Sequence, residues 1–179
     1  MLLMVPLQGC FPVVAAGVGT GVMMAQDRRS NEVFIEDQRM EAKVSGLVAQ
    51  EFKGAMHINV TSFNLNILLT GEVPEEYTRA EIGKLVSRVD KVRSVNNELA
   101  ISANSTLFSR SSDSLLTSNV KLRFLNSSHF KAEHVKVVTE NGTVFLLGIV
   151  SHAEADSAAE IASTPSGVKR VVKLFEYLD

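Results

Sequence analysis

The sequence predicts an α+β fold made of two tandem copies of one α-β-β-α-β unit, each a three-stranded mixed sheet packed against two helices. Three observations carry this reading. The first is an internal repeat: "HINVTSFNLNILLTGEV" (57–73) and "HVKVVTENGTVFLLGIV" (134–150) align at an offset of 77 positions and share His57/His134, Val60/Val137, Asn64/Asn141, Leu69/Leu146, Gly71/Gly148 and Val73/Val150. A fixed period of this kind marks repeated supersecondary units. The second is the order of periodicities, which runs helical, alternating, alternating, helical, alternating in each half. The third is the Ser-rich stretch "ISANSTLFSRSS" (101–112), which separates two periodic segments as a linker does.

In the first unit, residues 35–53 place Met40, Val44, Leu47 and Val48 at helical spacing. Alternating strands over 57–62 and 66–73 follow, around a turn at Phe63-Asn64. Pro74 opens a second helix, with Glu75 and Glu76 where the macrodipole favours acid, and "KVRSVNNELAI" alternates as the closing strand. The second unit repeats the order with a helix over 113–126, strands near 134–139 and 143–150, a helix over 152–163 and a strand over 168–177. Asn141-Gly142 is a strong hairpin signal because both residues tolerate positive φ. Hairpin strands pair antiparallel, and a crossover helix returns the last strand alongside them. The units are thus expected at 35–103 and 113–179, joined by a linker over 104–112. Each has a thin core, which makes packing between them expected.

With 45% hydrophobic and 21% charged residues among 179, the makeup is that of a globular protein. A net charge of −2, no Trp and two Tyr argue against nucleic-acid binding. Residues 1–26 carry no charge at all; the first charged residue is Asp27. Cys10 is the single cysteine, which excludes an internal disulfide and every CxxC motif. It stands in "LQGC" (7–10) after a short apolar run and resembles a bacterial lipobox, where cleavage before the cysteine leaves a lipid-modified N-terminus. Residues 1–9 are then the signal peptide or its end, and 10–34 the lipidated cysteine and a tether reaching about 25–30 Å as a flexible coil. Only nine residues precede the cysteine and none is basic. Two other readings stand beside lipidation: a membrane span, long enough but rich in Gly and Pro, and a buried strand, which suits the valines but not the glycines. Phe11 and Pro12 are not acidic and Asp27 is distant from Cys10, which favours the outer membrane over inner-membrane retention.

The α-β-β-α-β order, the G-x-V ending each hairpin (Gly71 to Val73, Gly148 to Val150) and "GVKRV" (167–171) resemble the BON domain. Two such units behind a lipobox resemble the dual-BON outer-membrane lipoproteins, and the similarity covers nearly the whole mature chain. The resemblance implies a monomeric, periplasm-facing, lipid-anchored protein that supports envelope integrity, with the division site as one place of action. It also implies a second domain that engages anionic phospholipid (phosphatidylglycerol, cardiolipin), with envelope proteins as alternative partners.

The first helices of the two units can be compared directly. At an offset of 76, Met40, Val44 and Val48 correspond to Leu116, Val120 and Phe124, a shared core stripe. The second copy adds Leu115, Leu122 and Leu125 where the first has Arg39, Gly46 and Ala49. An apolar strip beyond what the sheet needs marks an interaction surface. Three leucines contribute about 1.5–3 kcal/mol each if fully buried, and Lys121 and Arg123, with Lys131 beyond the helix, add about 1 kcal/mol per charge near anionic headgroups. Contact with the first domain is the competing reading of the same strip. The family's lipid-facing helix commonly carries an aromatic near its start; the corresponding position here is Leu115.

No enzyme, cofactor or metal is expected. His57 and His134 occupy a repeated scaffold position and are read as structural. His129 and His134 flank Glu133 without a third ligand at suitable spacing. The Gly-x-Gly-x-Gly run at 17–21 lacks the lysine of a phosphate loop. Gly71, Gly148, Asn141 and Gly142 are read as backbone requirements at strand ends and turns. Glu154, Asp156 and Glu160 are read as a solvated helix face.

Overall fold

The computed structural model describes residues 27–54 and 56–178. Cys10 and the motif around it lie outside these residues. The first unit contains α1 (Asn31–Glu51), β1 (His57–Phe63), β2 (Asn66–Val73), α2 (Glu76–Ser87), β3 (Ser94–Asn97) and β4 (Ala100–Ile101). The second contains α3 (Leu107–Leu125), a 3-10 turn (Ala132–His134), β5 (Val135–Glu140), β6 (Thr143–Val150), α4 (His152–Ser163) and β7 (Arg170–Tyr177). The hairpins are antiparallel, and the crossover strands run parallel to β2 and β6. β3 and β4 are successive segments along β2, interrupted where Leu99 turns into the core at 2% exposure. Each unit is therefore a mixed sheet three strands across, with two helices on one face.

The second unit's first helix begins six residues before the predicted position. Thr106 caps it by accepting from the Ser109 amide. The serine run, read from composition as a linker, is helical, and its hydroxyls turn back to carbonyls four residues earlier instead of competing for the helix amides: Ser111 to Leu107, Ser112 to Phe108, Ser114 to Arg110 and Ser118 to Ser114. The first hairpin turn sits at Asn64-Leu65, one residue after the predicted Phe63-Asn64. Both residues have positive φ (50° and 64°), as do Asn141 and Gly142 (49° and 74°).

A repeated aspartate explains how a leucine tolerates that conformation. Asp37 in α1 accepts hydrogen bonds from the Asn64 and Leu65 amides at 2.8 Å each. Its counterpart Asp113 in α3 accepts from Asn141 and Gly142 at 2.8 and 2.9 Å. Each buried carboxylate thus satisfies two turn amides and locks the hairpin to its own helix. The repeated glycines answer a second backbone demand. A Cβ on Gly71 would overlap the His57 carbonyl, and one on Gly148 would overlap that of His134. The conserved spacing of His and Gly within the two copies is therefore a close approach of the hairpin strands.

Because side chains alternate across a strand, each sheet has a second face. Ile67, Leu69 and Val73 pack on α1 and α2, and Val144, Leu146 and Val150 pack on α3 and α4. Phe63 and Leu68 point the other way and meet Phe145 and Leu147, all buried, with Val138, Ile149, Val172 and Leu174 around them. The two units therefore pack sheet to sheet, giving a helix–sheet–sheet–helix sandwich. Polar links ring this seam: Lys136 with Glu41 at 2.6 Å, Asn64 and Asn66 with Glu176 at 2.8 Å, and Arg170 with Glu98 at 3.2 Å.

Residues 27–30, expected within the tether, close one end of the seam. Arg28 donates twice to Glu154 of α4, and also to the Ile149 carbonyl at 2.8 Å. Arg29 is paired with Asp27 and Asp37 and lies over the Phe63 ring, 4.1 Å from its centroid. Glu154 is thus not an ordinary solvated residue: its side chain is 15% exposed and held by Arg28.

Candidate functional site

With the sheets facing each other, the helices form the outer walls of the sandwich. α3 buries Asp113, Leu116, Val120 and Phe124 against its own sheet. On the opposite side, Phe108, Leu115, Leu122 and Leu125 are 83%, 72%, 59% and 64% exposed, with Leu107 at 79% beside them. Phe108, Leu115 and Leu122 recur every seven residues, which on a helix of 3.6 residues per turn keeps them in one nearly axial row. The corresponding wall of α1 has Ile35 at 41% as its one large exposed apolar side chain among the described residues. The seam between units uses Phe63, Leu68, Phe145 and Leu147 and leaves the α3 leucines free of it.

Lys121 and Arg123 stand one position either side of Leu122, each turned about 100° around the helix axis from it. They flank the apolar row rather than sit in it. Arg123 donates to the Thr164 hydroxyl at 3.1 Å. Partial desolvation of an otherwise exposed side chain, and then the neighbouring Lys136, push the Lys121 ammonium below its ordinary pKa.

The start of α3 adds an aromatic side chain to the row. The aromatic near the helix N-terminus is Phe108, one heptad before Leu115, so the row begins with a ring. Sequence reading missed Phe108 because it placed this residue in a linker. The Thr106 cap and the i, i+7 recurrence from Phe108 through Leu115 to Leu122 are the signals that locate it.

Residues 36–103 and 112–179 match the BON domain. The chain belongs to the BON-domain family. Over 175 residues it is 39% identical to Outer membrane lipoprotein DolP of Haemophilus influenzae, covering 97% of this chain and 91% of that protein. It is 34% identical over 154 residues to the 21 kDa hemolysin of Actinobacillus pleuropneumoniae (85% and 79% covered) and 31% identical over 151 residues to Osmotically-inducible protein Y of Escherichia coli (81% and 75% covered). Homology to an outer membrane lipoprotein over almost the whole chain supports the outer-membrane location read from the sequence, and an envelope-associated role. Among the described residues, no helix is long and apolar enough to cross a membrane. As a pair of BON domains, the molecule presents along α3 an apolar row that α1 lacks.

Proposed function

We propose that this chain is a non-catalytic, lipid-anchored outer-membrane protein whose second BON domain lays the exposed face of α3 into a surface of anionic phospholipid and so supports envelope integrity. The observation that carries the proposal is the row Phe108, Leu115, Leu122 and Leu125, exposed on a helix whose opposite face already fills its core. Each of these side chains contributes about 1.5–3 kcal/mol when fully buried and less at an interface. Lys121 and Arg123 on the flanks add about 1 kcal/mol per charge near anionic headgroups, their aliphatic stems lying along the apolar row. Such binding is modest in free solution. It suffices for a protein tethered at Cys10, because the anchor keeps the second contact at high effective concentration.

The test is co-sedimentation of a form beginning at Asp27 with vesicles of phosphatidylglycerol, cardiolipin or phosphatidylcholine. The expected result is binding to the two anionic lipids, lowered at least tenfold by Leu115→Asn/Leu122→Asn with the fold intact by circular dichroism. Absence of wild-type binding to anionic vesicles sinks the lipid reading, and the same apolar row is then the docking face for an envelope protein.

A further inference from the structure

We propose that His57, Glu72 and Glu140 form a divalent transition-metal site that bridges the two BON domains, with Asn59 as a fourth donor. The three residues come from three strands and both domains. His57 and Glu72 are direct partners in the β1–β2 register, and Glu140 ends β5 across the seam. One donor atom from each lies within 4.8 Å of the other two. His57 Nε2 stands 3.7 Å from Glu140 Oε1, while the Asn59 side-chain amide lies 3.1 Å from His57 Nε2 and 2.9 Å from Glu140 Oε2. Donors at the corners of a tetrahedral zinc site with bonds of about 2.1 Å are about 3.4 Å apart, so these separations need only small side-chain adjustments. A half-turn of the Asn59 amide puts its Oδ1 where Nδ2 now points, turning the donor between His57 and Glu140 into an oxygen ligand.

Charge and burial argue the same way. Glu72 is 4% and Glu140 9% exposed. A buried carboxylate is costly unless paired or bound to metal. Among the described residues, Asn59 donates to Glu140, and the Ser105 amide and hydroxyl donate to Glu72, all of them neutral groups. Two carboxylates and a neutral imidazole balance a divalent cation and match the ligand chemistry of zinc. Ser105 holds one Glu72 oxygen and is itself gripped by Arg110, the kind of outer support that orients a metal-binding carboxylate. The metal would join β1 and β2 of one domain to β5 of the next, at the rim of the sheet-to-sheet seam.

The test is zinc titration of the full chain after chelator treatment, with Cys10→Ser so that the thiol does not contribute. The expected result is one zinc per chain with micromolar or tighter affinity and a raised melting temperature. His57→Ala and Glu140→Gln should each weaken binding at least tenfold, whereas His129→Ala and His152→Ala leave it unchanged. Absence of stoichiometric binding, or binding that survives both His57→Ala and Glu140→Gln, overturns the site. Should a variant fail to fold, zinc-edge X-ray absorption of the unsubstituted zinc complex decides: one imidazole among oxygen donors supports the site, and two or more imidazoles overturn it.

Discussion

Arg28 and Glu154 are joined by hydrogen bonds of 2.7 and 2.9 Å across 126 positions of sequence. The first lies just before α1 and the second in the capping box of α4, where Ser151 and Glu154 satisfy each other's backbone amides. Together they fasten the segment that precedes α1 onto the second domain. Arg29 does the same for the first domain through Asp37.

This pair makes the protein acid-sensitive in a defined window. The Arg28 hydrogen bond, with help from the Ser151 amide, holds the Glu154 carboxyl at about 2 against an ordinary 4.5. A depressed folded pKa gives stability that is complete above 4.5 and lost as pH falls toward 2. His134, with Nδ1 3.7 Å from Glu154 Oε1, is held below its ordinary 6.5 by burial and then by Arg28, so it adds a loss that starts below that pH. Carboxyl NMR titration of Arg28→Ala should return Glu154 toward its ordinary range and flatten the acid-unfolding curve between 4.5 and 2. An unmoved Glu154 titration would show that the clamp does not form in solution.

The hairpin aspartates should differ in weight. Asp113→Ala removes an acceptor from two turn amides and is expected to cost about 1–3 kcal/mol in urea unfolding. Asp37→Ala should cost more, because Asp37 also accepts from Ser62 at 2.6 Å and pairs with Arg29 at 2.7 Å. Equal losses in the two variants would argue against the added role of Arg29 and Ser62.

At Gly148 and Gly71 the obstacle is a backbone carbonyl, which cannot rotate away as a side chain can. Gly148→Ala should therefore lower stability by about 3 kcal/mol or more, in the range reserved for overpacked or strained sites. Thermal unfolding measures it, and a loss below about 1 kcal/mol would mean that the strands separate easily there.

Cutting into the seam should uncouple the domains without dissolving either. Phe145→Ala is expected to cost about 3–5 kcal/mol. The helix-side cores around Val44 and Val120 do not include Phe145, so calorimetry should resolve two transitions in the variant against one expected for the parent. A single transition with an unchanged midpoint would mean that the sheets contribute little to cohesion.

What was legible in the sequence follows from where the information resides. The repeat, the hairpins and the shared stripe of Met40, Val44 and Val48 with Leu116, Val120 and Phe124 depend on local periodicity, and they stand out in one dimension. So did Leu115, Leu122 and Leu125, because comparing copies removes what the core requires. The start of α3 was hidden: serines resemble a linker until their hydroxyls are seen bonding to the preceding turn, and Phe108 was lost with them. Arg28–Glu154 and His57–Glu72–Glu140 join residues whose separation carries no period, so only folding brings them together. The sheet-to-sheet seam was equally silent, since a strand buried on both faces looks the same whichever neighbour covers it.

Joining the two domains back to back, by the faces their helices leave bare, has an evolutionary consequence. Neither copy spends its helical exterior on holding the other, so each exterior can drift under its own selection while the shared interior stays fixed. One wall carries arginine, glycine and alanine at positions 39, 46 and 49; its twin carries leucines at 115, 122 and 125. Duplication in this geometry supplies a spare surface, and that spare surface is where a new adhesive property can be acquired without disturbing the architecture that displays it.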